Sequence, residues 1–211
     1  MRKLSRADEA IAAFQQRLGI VSGLGPPARR EYPSTITEVP SDPRERRHST
    51  GLMRVNHVGE ICAQALYDGQ AATARSQRVR AVMRHAATEE LDHLDWTRRR
   101  IAELGGETSR LGGLFYATSF AAGAIAGALG DRINLGFLAA TEEEVSAHLD
   151  RHLASLPESD RASASVVKQM RNDEARHAQT ARRAGGLEFS GLTRRLMRAG
   201  SRIMTTLTYR F

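Results

Sequence analysis

The chain has 211 residues, one cysteine and a formal net charge of +7. It is long enough to bury a core without disulfides, and its single cysteine, Cys62, excludes an intrachain disulfide. Few aromatic residues, no zinc-finger spacing and no RNP-like motif argue against nucleic acid as a partner, and the N-terminal segment has no secretory signal, so we expect the mature chain to start near Met1.

The first 50 residues predict a short helix followed by a connector. An amphipathic helix is predicted over residues 4–18 from apolar residues at three- and four-residue steps, which are Leu4, Ala7, Ile11, Phe14 and Leu18. Residues 23–50 lose this periodicity and contain five prolines, which predicts an extended connector without site residues. We therefore predict an N-terminal helix with a Pro-rich connector at residues 1–50 and one main domain at residues 51–211.

Two long helices follow, each with a carboxylate on the stripe that should face the core. Helix one is predicted from about Gly51 to Arg75, and its inner stripe is Met53, Asn56, Glu60, Ala63 and Tyr67. Helix two is predicted from Gln77 to Leu104, before Gly105 and Gly106, and its inner stripe is Met83, Ala86, Glu90, His93 and Thr97. A buried acid needs a partner, so Glu60 and Glu90 are candidate site residues.

Residues 111–130 contain no charged residue. At about 1.5 Å per residue, twenty helical residues could cross a bilayer core of ~30 Å. Five glycines and few large aliphatic side chains make membrane insertion marginal. We expect instead a tightly packed helix, in which Gly123 and Gly127 allow close approach, or an apolar surface that dips into a membrane.

Helix three is predicted from about Arg132 to the residues before Pro157, and it carries three acids in a row at 142–144. The inner stripe through Leu135, Leu138, Val145 and Leu149 passes through position 142. Glu142 should therefore face the core, and Glu144, about 200° round the helix, should face solvent. His148 lies close to the inner face and is a candidate for a proton role beside a metal ligand.

Helix four is predicted from Arg161 to Ala184, and its inner stripe is Val167, Met170, Glu174, His177 and Ala181. Residues 192–211 predict a final basic amphipathic helix. Seven arginines against one acid between Arg182 and Phe211 suit an anionic partner such as a membrane surface.

The core-facing acids form an internal repeat of a Glu followed about thirty residues later by Glu-x-x-His. On a helix, residues three apart share a face. Two helices with one Glu and two with Glu-x-x-His are the ligand pattern of carboxylate-bridged di-iron and di-manganese sites in helix bundles. The sequence therefore predicts an all-α, ferritin-like four-helix bundle with additional amphipathic and apolar helices, and six metal ligands: Glu60, Glu90, His93, Glu142, Glu174 and His177.

Two rival ligand sets are less symmetric. His85, Glu89 and His93 follow one another at four-residue steps, but the position in helix four that matches Glu89 holds Asp173. His57 and Glu60 form a reversed pair that has no counterpart in helix three, where position 139 is not His. We therefore prefer the six residues above.

Four carboxylates and two imidazoles suit iron or manganese, with no thiolate to favour zinc or copper(I). Two ferrous ions can deliver electrons to O₂, but the same ligands also serve iron storage, peroxide reduction and radical generation. The apolar segment at 111–130 and the basic C-terminus suggest a substrate in the bilayer. The residues alone therefore favour a membrane-associated oxygenase.

With these motifs placed, the chain resembles the demethoxyubiquinone monooxygenase family (2-polyprenyl-3-methyl-6-methoxy-1,4-benzoquinol monooxygenases) of ubiquinone biosynthesis, and it is similar to the bacterial type. The resemblance runs from about Met53 to the C-terminus, whereas the first 50 residues show no match. It rests on five stretches: RVNHVGEICAQALYDGQ, EELDHLDWTRRRIAELGG, LGDRINLGFLAATEEEVSAHLDRHL, QMRNDEARHAQTA and MTTLTYRF.

The resemblance implies that residues 51–211 are a ferritin-like di-iron monooxygenase domain that hydroxylates a polyprenyl benzoquinol ring. It implies the same six ligands, two iron ions per chain, O₂ as co-substrate, and electrons from NADH or another reductant. It also implies peripheral attachment to the anionic surface of the bacterial cell membrane, on the cytoplasmic face. A homo-oligomer and partner proteins of quinone biosynthesis stay open.

Two other functions stay open at this point. One is a ferroxidase or rubrerythrin-like iron protein on the same bundle. The other is a non-enzymatic membrane-surface protein with a structural metal.

Overall fold

A computed structural model describes residues 15, 17–23 and 25–210, and these residues form helices and no strand. Residues 17–22 are helical, and six long helices follow. They are α1 (Pro43–Thr73), α2 (Gln77–Glu103), α3 (Gly112–Ala128), α4 (Asp131–Ser155), α5 (Arg161–Arg183) and α6 (Gly191–Thr208). The predicted all-α class is confirmed.

Helices α1, α2, α4 and α5 form the bundle, and two apolar clusters fill it. One cluster includes Tyr67, Met83, Leu138 and Ala181, one residue from each bundle helix. The other includes Met53, Trp96, Leu149 and Met170, again one from each helix. The stretch of every bundle helix between its two cluster residues therefore lies between two apolar layers.

The order in which each helix meets the two clusters gives its direction. Helices α1 and α5 run from the Met53 cluster to the Tyr67 cluster, and α2 and α4 run the opposite way. Because α2 and α4 are parallel, the chain must return along the bundle between them. Helix α3, which packs on α1, makes this crossover, and one such connection is the arrangement of ferritin-like bundles.

Most helix ends agree with the sequence, but α1 begins at Pro43 and not near Gly51. The Asp42 side chain accepts a hydrogen bond from the Arg44 amide and caps the helix, and Pro43 suits the first helical position. The connector is therefore shorter than predicted. The predicted helix over residues 4–18 lies mostly outside the described residues, and the division at residue 50 stays a prediction.

Helix α3 contacts α1 through glycines. A side chain at Gly123 would collide with the Leu66 carbonyl, and one at Gly69 with the Phe120 carbonyl. The expectation that Gly123 and Gly127 serve close packing is confirmed. Among the residues described, no helix combines the length and the apolarity needed to cross a membrane.

Helix α6 lies against α1 and α4 and changes the surroundings of two acids. Arg198 pairs with Glu144 at 2.7 Å, and Arg194 pairs with Glu143 at 2.7 Å. The expectation that Glu144 faces solvent is wrong, because α6 covers it. Only Glu142 of the three consecutive acids enters the bundle core.

Candidate metal centre

Six acidic and imidazole side chains meet between the two apolar layers of the bundle. Each is at least 95% buried, and all four bundle helices contribute: Glu60 from α1, Glu90 and His93 from α2, Glu142 from α4, and Glu174 and His177 from α5. These are the six residues that the repeat predicts as metal ligands. The one-turn spacing of each Glu-x-x-His places its two side chains on the same face.

The cluster divides into two overlapping groups that could each hold a metal ion. The first group is Glu60, Glu90, His93 and Glu174, and the second is Glu90, Glu142, Glu174 and His177. Within each group, one ligand atom per residue lies within 4.8 Å of the others. Glu90 and Glu174 belong to both groups, so the arrangement suits two ions that share two carboxylates.

Both imidazoles present the same nitrogen to the cluster. Nδ1 of His93 lies 3.0 Å from Glu90 and 3.1 Å from Glu174. Nδ1 of His177 lies 3.3 Å from Glu174 and 3.4 Å from Glu90. Burial disfavours the charged form of both rings, but the surrounding carboxylates outweigh it and raise the pKa of both histidines.

The outward nitrogen of each imidazole contacts an acid on the opposite helix. Nε2 of His93 lies 3.1 Å from Asp173 on α5, and Nε2 of His177 contacts Glu89 on α2. Asp173 and Glu89 are the residues directly before the Glu of each Glu-x-x-His motif. Each motif thus carries an acid that orients the histidine of the other, as metal-binding histidines commonly require.

Two of the crowded carboxylates, Glu60 and Glu142, favour the protonated form. Burial, with the facing charge of Glu90, raises the pKa of Glu60 well above its usual value. Burial, with the charge of Glu174, does the same to the pKa of Glu142. Divalent cations would displace such protons and balance the carboxylate charge.

Several buried atoms of the cluster have no hydrogen-bond partner among the described residues, and a bound cation would satisfy them. They are Oε1 of Glu90, Oε2 of Glu142, both carboxylate oxygens of Glu174 and Nδ1 of His177. Unpaired buried polar atoms are costly and rare. Oxygen and nitrogen donors without a thiolate suit iron or manganese, so the residues fit the metal pair that the sequence predicts.

The residues that only the rival sets contain, His57, His85 and Glu89, lie outside both groups. His57 is buried, and its Nδ1 lies 2.9 Å from the Thr97 hydroxyl. Burial lowers the pKa of His57 to about 4, so it is neutral near pH 7. His85 is exposed. Tyr67, which the sequence placed only on a core stripe, donates a hydrogen bond to Glu142.

A cavity of about 350 Å³ reaches the cluster from the side of α3 and α6. Its lining is mostly apolar and includes Phe115, Leu66, Phe137 and Met204, together with Glu60. This volume is within the range of small-molecule sites, about 300–1,000 Å³. Cys62 also lines the cavity, and burial raises the pKa of its thiol to about 11.

His148 lines the same cavity and makes no hydrogen bond to a cluster residue in the described structure. Its ring lies 4.0 Å from that of His152, measured between centroids, and its Nε2 has no hydrogen-bond partner in the described part of the chain. Burial lowers the pKa of His148 to about 4. His148 is therefore a neutral imidazole facing the cavity, and the proton role expected from its position on the helix stays a prediction.

Comparisons with known proteins agree on one family. The family described as "Ubiquinone biosynthesis protein COQ7" matches residues 47–208. A Bordetella petrii protein named 3-demethoxyubiquinol 3-hydroxylase is 49% identical over 210 residues, 99% of this chain and 93% of that protein. Proteins with the same name from Azoarcus sp. (50% identity, 96% of this chain and 98% of that protein) and Ralstonia pickettii (55% identity, 79% and 76%) are also similar.

Proposed function

Because the chain belongs to the COQ7 family of ubiquinone biosynthesis proteins, we propose that it hydroxylates the ring of a demethoxyubiquinol with O₂, using two iron ions held by the buried cluster. The observation that carries the proposal is the pair of overlapping Glu and His groups beside an apolar cavity. The relatives named 3-demethoxyubiquinol 3-hydroxylase support the choice of substrate.

The proposed ligands are Glu60, Glu90, His93, Glu142, Glu174 and His177. When bound, the two iron ions supply a binding site for O₂ and the electrons that reduce it. One oxygen atom enters the ring in place of hydrogen, and the other leaves as water with two protons. Two electrons from NADH or another reductant complete the balance, and we assign no binding site to that reductant.

The chain's own residues prepare the site in three ways. Asp173 and Glu89 hold the outward nitrogens of the two histidines, so that both Nδ1 atoms face the cluster. Tyr67 donates to one oxygen of Glu142 and leaves the other free. Two apolar layers flank the cluster along the bundle and lower the local dielectric, which strengthens the interactions of its charges.

The cavity is the proposed place of the quinol ring. Its apolar walls suit a methylated ring and the start of a polyprenyl tail, and Glu60 connects it to the cluster. His148 is proposed to accept a hydrogen bond from a quinol hydroxyl, because its Nε2 is unpaired and its ring is neutral.

We also propose that the chain binds a membrane surface peripherally, with α6 and α3 against the lipid. Four large apolar side chains on one face of α6 are strongly exposed: Leu192, Leu196, Ile203 and Leu207. Leu114, Ile125 and Leu129 are similarly exposed on and just after α3. The cavity lies between these two helices, so a quinol could enter it from the bilayer. The proposed location is the cytoplasmic face of the bacterial cell membrane.

The test of the proposed function is mass spectrometry of a demethoxyquinol after incubation with iron-loaded protein, NADH and ¹⁸O₂. We expect the product to gain one ¹⁸O atom. Glu142→Ala should lose this activity, because it removes a proposed ligand. Glu143→Ala is the matched control, since this neighbouring acid pairs with Arg194 outside the cluster and should keep the activity.

The remaining outcomes of this test identify the alternatives. Two bound iron ions without ¹⁸O in the product would favour the ferroxidase or rubrerythrin-like function. Wild-type activity in Glu142→Ala would contradict the assigned site. A chain that binds metal but neither oxygenates the quinol nor oxidises Fe²⁺ would favour the non-enzymatic protein with a structural metal.

A further inference from the structure

The irregular connector before α1 is fixed to helix α2 by acidic side chains. The amide of Ala28 donates to Asp95 at 3.1 Å, and the amide of Arg29 donates to Asp92 at 2.7 Å. Asp92 directly precedes His93. The connector, which the sequence analysis expected to carry no site residue, therefore lies beside the cluster.

Arg30 of the connector joins the two helices that carry Glu-x-x-His. Its Nε donates to Asp92 on α2 at 2.7 Å, and its Nη1 donates to Asp173 on α5 at 2.8 Å. The guanidinium also lies over the Trp96 ring, 4.7 Å from its centroid. Both carboxylates are almost fully buried, whereas the Arg30 side chain is 33% exposed.

Arg30 binds the same oxygen that holds His93. Oδ2 of Asp173 accepts from Arg30 and lies 3.1 Å from Nε2 of His93. The other donors to Asp173, which are Gln169 and Arg176, bind Oδ1. Arg30 is thus the cation bound to the oxygen that contacts His93, while Arg176 binds the other oxygen of the same carboxylate.

We propose that Arg30 is a positioning residue for the metal ligand His93, acting through Asp173. It holds Oδ2 at one point and so sets the plane of the imidazole, whose Nδ1 faces Glu60, Glu90 and Glu174. Its charge also compensates a carboxylate that is buried beside a cluster of other carboxylates. This inference depends on the proposed metal site and not on the quinol reaction.

The test is an anaerobic Co²⁺ titration followed by absorption, together with Mössbauer spectra of ⁵⁷Fe-loaded protein. The wild-type chain should bind two ions. In Arg30→Met, one of the two ions should bind roughly 10–100-fold more weakly, the range typical for loss of a group that orients a metal-bound histidine. The Mössbauer doublet of that ion should shift while the other stays unchanged, and Arg30→Lys should restore much of the affinity.

The matched control is Arg29→Met. It removes the same charge from the next position of the connector, where the side chain is exposed and only the backbone amide contacts Asp92. It should bind both ions as the wild type does. Equal weakening in Arg29→Met would overturn the inference, because net charge would then explain the effect.

A second variant separates positioning from attachment of the connector. The Arg99 guanidinium lies over the Tyr32 ring, 4.0 Å from its centroid. The Tyr32 hydroxyl donates a hydrogen bond to Glu103 at 3.3 Å. Tyr32→Ala should loosen the connector, seen as faster hydrogen exchange of residues 31–40, while Arg30 stays in place. Wild-type affinity in Tyr32→Ala supports the role of Arg30 itself, and an equal loss in Tyr32→Ala overturns it.

Failure of this inference and failure of the proposed metal site give different results. A wild-type chain that binds no metal ion contradicts the proposed function. A wild-type chain that binds two ions, with Arg30→Met identical in affinity and spectrum, contradicts only the role of Arg30.

Discussion

At the scale of single residues, the two acids before the Glu-x-x-His motifs orient the cluster. Asp173 on α5 holds His93, and Glu89 on α2 holds His177. The hydrogen bond from His177 lowers the pKa of Glu89 to about 2, so this acid is charged at neutral pH. Hydrogen bonds from His93 and Arg30 overcome the effect of burial and lower the pKa of Asp173 as well. Both acids are therefore charged near pH 7 and can accept a hydrogen bond from the histidine that each contacts.

We predict that Asp173→Asn and Glu89→Gln weaken different metal ions. Each variant removes a charged acceptor from one histidine, which typically costs about 10–100-fold in metal affinity. Asp173→Asn should affect the ion of the His93 group, and Glu89→Gln the ion of the His177 group. Co²⁺ titration followed by absorption measures both affinities.

The control for this pair is Asp95→Asn, which removes a carboxylate from α2 that contacts the connector and neither histidine. It should bind two ions normally. A uniform loss in all three variants would show that the acids act on stability and not on individual metal ions.

The sequence could predict the six cluster residues because their spacing follows the helical repeat. It could not predict the roles of Asp173 and Glu89. Because one is Glu and the other Asp, the two positions did not look equivalent, and the sequence disfavoured a ligand set built on Glu89. A carboxylate on either side-chain length can nevertheless reach the histidine of the other motif. Arg30 has no periodic signal, and its position depends on how the connector folds back on α2 and α5.

At the scale of secondary structure, the packing of α3 against α1 depends on glycines more than on large apolar side chains. We predict that Gly123→Ala lowers the free energy of unfolding by about 1–3 kcal/mol, because its methyl group would meet the Leu66 backbone and force α3 away from α1. Urea denaturation measures this change. Gly200→Ala is the control, since no described heavy atom outside its own stretch of helix lies within 4 Å of the added carbon.

A Gly123→Ala protein as stable as the wild type would show that α3 can move away from α1 at little cost. The bounds of the other bundle helices were largely predictable from the sequence, because their inner stripes of apolar residues are long and regular. The start of α1 was not, because prolines on both sides of Asp42 obscure a helix cap that only the local backbone reveals.

At the scale of the whole molecule, charge and apolar surface coincide on α6. Arg195 and Arg202 are exposed and form no ion pair within the part of the chain that the structure describes. They lie on the same helix as the exposed Leu196 and Ile203. An apolar face flanked by cations suits the interface of an anionic bilayer.

We predict that wild-type protein sediments with vesicles containing phosphatidylglycerol, and less with phosphatidylcholine alone. Leu196→Glu/Ile203→Glu should reduce the bound fraction at least about tenfold, because two large side chains lose their burial in lipid. Ala147→Glu/Ala154→Glu adds the same two charges seven residues apart on the exposed face of α4 and is the control. Equal loss in both double variants would contradict a membrane face on α6.

The bundle, the shared carboxylates and the cavity support the proposal of a pair of iron ions, for which Glu90 and Glu174 would both be ligands of each ion. The most direct test is anaerobic loading with ⁵⁷Fe²⁺, then oxidation by O₂, followed by iron counting, Mössbauer and EPR spectroscopy. We predict two iron ions per chain and, after oxidation, a spin-coupled pair without the EPR signal of an isolated ferric ion. One iron ion per chain, or two that show the isolated ferric signal, would contradict the claim.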